Sequence, residues 1–217
     1  MNIPNRLSLS RICMIPLFVA AYFLPYYWGA YVAIGIFAVC CFTDFLDGYI
    51  ARKYNMVTDL GKLLDPIADK ILVCAALFCV VATNPLQYGS LFSSVESQQF
   101  NAEFGRMFLT VGSILILARE LLISAVRMIA ASKGIVVQAN IFGKIKTVMQ
   151  DISLPLLILL MVQPHYCNSV VEASSGTQVF FKTVWCIAML LFGLAVLMTV
   201  ISGIIYLVQN RKVFESK

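Results

Sequence analysis

Residues 43–70, TDFLDGYIARKYNMVTDLGKLLDPIADK, decide the fold because they place a charged stretch between two apolar runs. Five of the chain's eleven acidic residues lie here, and four of them have helical spacing. Asp44 and Asp47 are separated by three positions, and Asp65 and Asp69 by four. On helices, each spacing puts both carboxylates on one face. Such pairs are predicted to bind hard divalent cations, and a two-metal centre would suit phosphoryl chemistry.

Small residues and one arginine complete this stretch. Gly48 and Gly61 remove side chains where a ligand or a partner helix must come close. Ala51 keeps its helix face small, and Arg52 offers a guanidinium fork that can bind phosphate. Pro66 fits the first turn of a helix, so a helix start or a kink is predicted around it.

The pattern Asp44-x-x-Asp47-Gly48-x-x-Ala51-Arg52, eight residues, Gly61-x-x-x-Asp65-x-x-x-Asp69 resembles the signature of the CDP-alcohol phosphotransferases at every defined position. A merely solvated loop is the alternative interpretation. We disfavour it because four acids beside apolar runs make membrane insertion less favourable. Acidic residues in such positions normally have a function.

The composition indicates a single integral membrane domain over residues 1–217. The chain is 60% hydrophobic and only 12% charged, which is too apolar for a soluble domain of this size. We predict an all-α bundle of six transmembrane helices after a short amphipathic segment, residues 1–11, with a polar loop at 84–105. The predicted apolar runs are 12–28, 31–43 continuing as helix to 52, the motif to about 83, 107–131, 147–163 and 183–208.

Positive charge predicts the orientation. Lysines and arginines outside the apolar runs concentrate on the side of the motif, whereas Arg106 and Lys182 lie near the other side. Six spans therefore put the motif and both termini on the cytoplasmic side of the cell membrane. The net charge of +5 follows from this topology, and we do not interpret it as nucleic-acid binding.

Four further cations lie in or beside the later apolar runs. Arg119 and Arg127 are eight positions apart in the fourth run, and Lys144 and Lys146 precede the fifth. Charges within a span predict a functional site, so we expect these four to bind an acceptor phosphate. The alternative is that the lysines snorkel at a helix end while Arg119 forms a structural pair with Glu120.

A second resemblance, over most of residues 1–150, narrows the acceptor. Asn2-Ile3-Pro4-Asn5 with Ser8 and Arg11, Arg119-Glu120 with Arg127, and Gly143-Lys144-Ile145-Lys146-Thr147 resemble the phosphatidylglycerophosphate synthases of the same family. Ser8 stands where threonine is expected and keeps the hydroxyl.

The resemblance implies transfer of a phosphatidyl group from CDP-diacylglycerol to the 1-hydroxyl of sn-glycerol 3-phosphate, with release of CMP. Two Mg²⁺ or Mn²⁺ ions would be held by Asp44, Asp47 and Asp65. Asp69 would also touch a metal and act as general base. Arg52 would bind the pyrophosphate. The remaining residues implied at the nucleotide are Gly48, Ala51 and Gly61.

Two alternatives stay open. A synthase of the same family could use another acceptor, such as inositol phosphate or phosphatidylglycerol. A divalent-cation transporter could also use intramembrane carboxylates, although it would favour the membrane midplane, whereas these lie at one end of their helices. The family resemblance implies a homodimer in the lipid membrane, with no interface identified.

Overall fold

The computed structural model describes residues 3–24, 27–53, 59–83, 95–132, 141–161 and 175–209, and the regular structure in these ranges is helical. A proline follows three of the helices within a few residues, at Pro25, Pro85 and Pro164. Because proline lacks the N–H that a helix needs, these positions favour helix ends. The helices are α1 (Ile3–Tyr22), α2 (Tyr27–Lys53), α3 (Asp59–Ala82), α4 (Val95–Ser132), α5 (Ile141–Met161) and α6 (Ser175–Gln209).

The helices confirm the all-α class, but several predicted bounds are wrong. The predicted loop at 84–105 fails in its second half, because α4 begins at Val95. Glutamate, glutamine and alanine favour helix in this polar segment. Likewise, α5 begins at Ile141 and α6 at Ser175, several residues before the apolar runs that define them. A hydropathy pattern marks the apolar part of a helix, and its polar extension needs other signals.

The first and third helices also differ from expectation. The first apolar run was predicted to continue to Trp28, yet α1 ends at Tyr22 and Trp28 belongs to α2. From Ile3 onward, the predicted amphipathic segment forms the first part of α1. Because α3 begins at Asp59, Pro66 lies inside this helix and not in its first turn.

Side-chain contacts of α1 show the directions of the first three helices. Arg11 in the first half of α1 meets Asp44 in the second half of α2, and further along α1 Phe18 packs against Phe37, so these two helices run in opposite directions. At the end of α1, Tyr22 hydrogen-bonds to Thr83, which follows α3 directly, so α1 and α3 run in the same direction. The end of α2 and the start of α3, which carry the acidic motif, therefore lie at one end of the bundle.

A continuous apolar core joins the six helices. The rings of Phe18 and Phe37 pack in the first part of this core with centroids 6.1 Å apart. Phe108 and Phe192 pack edge to face in the second part, at 5.9 Å. Buried side chains from every helix complete it, among them Leu77, Ile116, Leu154, Leu157, Ile158 and Ala188.

The outer surface of the helices is also apolar. Large hydrophobic side chains such as Phe42, Phe78 and Leu190 are more than half exposed. In the described part of the chain, two helical segments are long and apolar enough to cross a membrane, Glu103–Ala130 in α4 and Thr183–Gln209 in α6. Shorter apolar segments lie in α1, α2 and α3. An apolar core with an apolar exterior indicates a membrane protein.

Gly112 allows close contact between α4 and α6, and its replacement tests this packing. A Cβ atom at this position would lie 2.7 Å from Cε1 of Phe192 and 2.9 Å from Cγ2 of Val196. Because Phe192 is fully buried, its ring cannot move aside easily. We expect Gly112→Ala to lower the free energy of unfolding in mixed micelles by about 1–3 kcal/mol.

Gly35→Ala is the matched control for this experiment. No described atom lies within 4 Å of a Cβ added at Gly35. Helix propensity should therefore leave this variant unchanged or stabilise it by up to about 1 kcal/mol. Circular dichroism follows the unfolding of both variants. Equal unfolding free energies for the two would contradict the close contact at Gly112.

Candidate active site

The four acids of the motif lie on helices, as their spacing predicts. Asp44 and Asp47 belong to α2, and Asp65 and Asp69 belong to α3. At a rise of 1.5 Å per residue, Asp44 lies about 26 Å from the start of α2. A bilayer core is about 30 Å thick, so this position is close to one membrane boundary if α2 crosses the membrane.

The structure describes the side chains of five predicted site residues, namely Asp44, Arg119, Arg127, Lys144 and Lys146. Other predicted site residues have helical backbones, but their side chains lie outside the described ones, so their role in a metal centre or nucleotide site stays a prediction. These residues are Asp47, Gly48, Ala51, Arg52, Gly61, Asp65 and Asp69.

Asp44 is held by an arginine from a different helix. Nη1 of Arg11 in α1 donates to Oδ1 of Asp44 at 2.6 Å. The arginine side chain is fully buried, whereas the aspartate side chain is 45% exposed. The contact is short, as expected for a charge-assisted hydrogen bond. One side of the carboxylate is thus fixed by the bundle while the group stays accessible, which fits an oxygen ligand for a hard cation.

Two of the four predicted acceptor cations meet on one carboxylate. Oε1 of Glu120 accepts a hydrogen bond from Nζ of Lys146 at 2.7 Å and another from Nη1 of Arg119 at 3.0 Å. Lys146 is only 1% exposed. The Glu120 carboxylate supplies the charge that compensates this buried amine. The Arg119–Glu120 pair is the contact that the structural alternative predicted, and Lys146 shares it.

Arg119 is enclosed by α5 and α6. Its Nη2 donates to Oγ of Ser202 in α6 at 3.1 Å. A Cβ atom at Gly143 of α5 would lie 3.1 Å from the same Nη2, and one at Gly203 would lie 3.4 Å from its Cγ. The two glycines leave the space that the arginine side chain fills.

The other two cations have different surroundings. The guanidinium of Arg127 lies over the ring of Tyr206, 5.8 Å from the ring centroid, at a distance typical of a cation–π contact. Lys144 is exposed at the start of α5. The described contacts therefore join Arg119 and Lys146 through Glu120, whereas Arg127 contacts Tyr206 and Lys144 is exposed.

Lys70 connects this cationic cluster with the acidic motif. It follows Asp69 in α3, and its Nζ donates to Oγ of Ser124 in α4. The Ser124 hydroxyl in turn donates to the backbone carbonyl of Glu120 at 2.7 Å. The motif-bearing start of α3 thus lies beside the part of α4 that holds the cations.

A cavity opens between α3, α4 and α5 at this point. Its polar wall consists of Lys70, Glu120, Lys146, Thr147, Gln150 and Asp151. Oε1 of Gln150 is buried and has no hydrogen-bond partner among the described groups. Buried acceptors are normally satisfied, so this oxygen is a remaining acceptor at the cavity wall. With two lysines and two carboxylates in its wall, the cavity offers partners of both charges to a polar ligand.

Sequence reasoning did not assign three of these residues to the site. Glu120 was interpreted only as a structural partner, and Lys70 and Gln150 had no assigned role. The available signal was the occurrence of ionisable and amide side chains in or beside apolar helices. Their convergence on one cavity depends on helix packing, which single-sequence spacing does not give.

Replacement of Glu120 tests its role as the shared counter-ion. Glu120→Gln keeps the shape of the side chain but removes the charge that faces the buried Lys146 amine. Breaking a buried ion pair leaves the remaining charge poorly compensated, so we expect a loss of about 3 kcal/mol in unfolding free energy. Unfolding in mixed micelles measures the change.

Glu103→Gln is the matched control, because Glu103 is an exposed carboxylate on the same helix. Its unfolding free energy should stay within about 0.5 kcal/mol of the unmodified protein. A Glu120→Gln variant as stable as this control would show that the carboxylate is not required to hold the cluster.

The chain matches a family of known proteins over nearly its whole length. The family model described as CDP-alcohol phosphatidyltransferase matches residues 1–208. A CDP-diacylglycerol–glycerol-3-phosphate 3-phosphatidyltransferase of Bacillus subtilis is 38% identical over 170 residues, which cover 73% of this chain and 77% of the relative. A protein of the same name from Rickettsia felis is 29% identical over 213 residues, covering 98% and 97% of the two chains.

A relative with a different name is also similar. A cardiolipin synthase (CMP-forming) of Oryza sativa subsp. japonica is 36% identical over 162 residues, which cover 73% of this chain and 46% of the relative. The family match extends over nearly the whole chain, and it includes both the acidic motif and the cationic cluster. The chain therefore belongs to the CDP-alcohol phosphatidyltransferase family and is a phosphatidyltransferase of phospholipid biosynthesis.

Proposed function

We propose that this enzyme transfers the phosphatidyl group of CDP-diacylglycerol to sn-glycerol 3-phosphate, giving phosphatidylglycerophosphate and CMP. The observation that carries the proposal is the cavity whose wall contains Lys146 and Lys70 beside the motif-bearing helix α3. The similarity to relatives named for glycerol 3-phosphate supports the same acceptor. An acceptor without a phosphate would leave these cations without a substrate charge to bind.

The acceptor would bind in this cavity through two kinds of contact. Lys146 and Arg119 already share one carboxylate, so a phosphate could bind to their remaining donors without either cation losing Glu120. Arg127 and Lys144 would add positive charge at the edge of the cavity. The buried Oε1 of Gln150 would accept a hydrogen bond from a hydroxyl of the glycerol moiety.

Asp44, Asp47, Asp65 and Asp69 would hold two Mg²⁺ or Mn²⁺ ions at the adjacent end of α2 and α3. When bound, such ions would supply positive charge that stabilises the donor pyrophosphate and the departing CMP. Carboxylate oxygens are the ligands that these cations prefer, and the accessible Asp44 carboxylate fits this role. Arg52 would bind the pyrophosphate, while Gly48, Ala51 and Gly61 would leave room for the nucleotide.

Asp69 would accept the proton of the acceptor hydroxyl while the hydroxyl oxygen attacks the phosphorus atom of the phosphatidyl group. The bond from this phosphorus to the bridging oxygen would break, and CMP would leave with that oxygen. The neighbouring Lys70 is held by Ser124, and its charge would lie close to the reacting groups. The acyl chains would remain in the lipid.

We further propose that all six helices cross the cell membrane, with both termini and the active site at the cytoplasmic side. The contacts of Arg11 with Asp44 and of Lys70 with Ser124 support a single polar end of the bundle. The concentration of lysine and arginine beside this end supports its cytoplasmic orientation. A homodimer stays a prediction of the family resemblance.

Release of CMP by the purified protein in detergent tests the proposed reaction. With CDP-diacylglycerol and Mg²⁺, we expect release to depend on glycerol 3-phosphate and to stay near background with inositol phosphate or phosphatidylglycerol. Chelation by EDTA should abolish release, and added Mg²⁺ or Mn²⁺ should restore it. Preferential use of phosphatidylglycerol would instead assign the activity named for the rice relative, and EDTA-insensitive turnover would overturn the metal assignment.

Arg127→Gln tests the acceptor site separately from the donor site. Removal of this positive charge should raise the KM for glycerol 3-phosphate about tenfold, corresponding to one charge-assisted contact, with little change in the KM for CDP-diacylglycerol. Steady-state kinetics with each substrate varied in turn measure both constants.

Arg106→Gln is the matched control for Arg127→Gln. Arg106 is also exposed on α4, and it lies about 31 Å away along the helix axis. Both KM values should be unchanged in this variant. An equal rise of the two KM values in Arg127→Gln would argue against a role specific to the acceptor.

A further inference from the structure

We propose that Arg11 is a positioning residue for the metal site, because it orients the Asp44 carboxylate from outside the acidic motif. This inference rests on the proposed function, since it takes Asp44 to be a metal ligand. It adds a residue of α1 to a centre whose predicted ligands all lie on α2 and α3.

The burial of Arg11 is the first reason. Its side chain has no solvent exposure, and a guanidinium is charged at all physiological pH values. Removing such a charge from water is unfavourable unless partners compensate for it. The 2.6 Å contact with Asp44 supplies one such partner. A buried cation in this position is therefore unlike the surface arginines that form incidental ion pairs.

The asymmetry of the contact is the second reason. The structure shows Nη1 of Arg11 on Oδ1 of Asp44, and the aspartate side chain is 45% exposed. The arginine thus fixes the carboxylate from the protein side and leaves its other side accessible. Groups that hydrogen-bond to a metal-binding carboxylate set its orientation, and their loss typically lowers metal affinity by about 10–100-fold.

The position of α1 is the third reason. The opposite end of this helix is fixed by the hydrogen bond between Tyr22 and Thr83, about 16 Å from Arg11 along the helix axis. Between Arg11 and Tyr22, the core side chain Phe18 anchors α1 against Phe37. The helix is therefore held at several points, and Arg11 can transmit this rigidity to Asp44.

Binding of Mn²⁺ to the purified protein, measured by electron paramagnetic resonance without substrates, tests the inference. We expect Arg11→Gln to raise the Kd for Mn²⁺ about tenfold. Arg11→Lys keeps a cationic donor and should restore most of the affinity, with a Kd within about threefold of the unmodified protein, because the contact uses a single nitrogen.

Tyr22→Phe is the structural control. It removes the hydrogen bond at the other end of α1 and should leave the Kd for Mn²⁺ unchanged. If this variant weakened Mn²⁺ binding as much as Arg11→Gln does, the effect of Arg11 would be a general loosening of α1, and the inference would fail. If Arg11→Gln does not fold, a Kd of Arg11→Lys more than tenfold above that of the unmodified protein would also overturn it.

A double-mutant cycle separates this inference from the metal assignment. Asp44→Asn alone should weaken Mn²⁺ binding, and adding Arg11→Gln to it should cause no further loss, because Arg11 acts through Asp44. Unchanged binding in Asp44→Asn would overturn the metal assignment and the inference together. Weakened binding in Asp44→Asn with normal binding in Arg11→Gln, or additive losses in the double variant, would overturn the role of Arg11 alone.

Discussion

The polar end of this bundle depends on the hydrogen bonds that the Glu120 carboxylate accepts. In a largely apolar helix pair, this carboxylate accepts hydrogen bonds from Arg119 on its own helix and from Lys146 on α5. Neither cation would be stable in this environment without a counter-charge. Because Arg119 also reaches Ser202 in α6, one acidic residue organises the contact of three helices. This group carries two positive charges and one negative charge, which would suit the phosphate-bearing acceptor proposed above.

The bundle brings two chemically opposite groups to the same end. The acidic motif on α2 and α3 would attract divalent cations, whereas the cluster on α4 and α5 would attract a phosphate. The Lys70–Ser124 contact joins the two regions, and the Arg11–Asp44 pair fixes the acidic side to α1. A transferase needs both regions because its donor pyrophosphate and its acceptor must meet with correct orientation. Apolar packing through the remainder of the bundle holds these polar elements in place.

Much of this arrangement could be predicted from the sequence. The spacing of the four aspartates correctly predicted helices, because the separations of three and four positions match the helical repeat. The cations Arg119 and Lys146 were recognised because charged side chains stand out at apolar runs. Their common partner was not assigned to the site, and the contact of Lys70 with Ser124 was not foreseen. These contacts join residues 26 and 54 positions apart, and such distances in sequence are closed only by tertiary packing. The start of α4 at Val95 was missed because its polar first turns carry no apolar periodicity.

The proposed reaction requires the carboxylate motif and the cationic cavity to form one site. The most direct measurement is the ³¹P relaxation of glycerol 3-phosphate added to the Mn²⁺-loaded protein in detergent, corrected for the same solution without protein. If the acceptor phosphate binds beside the metals, Mn²⁺ should shorten its relaxation time strongly, and diamagnetic Mg²⁺ should not. Bound acceptor with the same relaxation in Mn²⁺ and in Mg²⁺ would place the two regions apart and contradict a single active site.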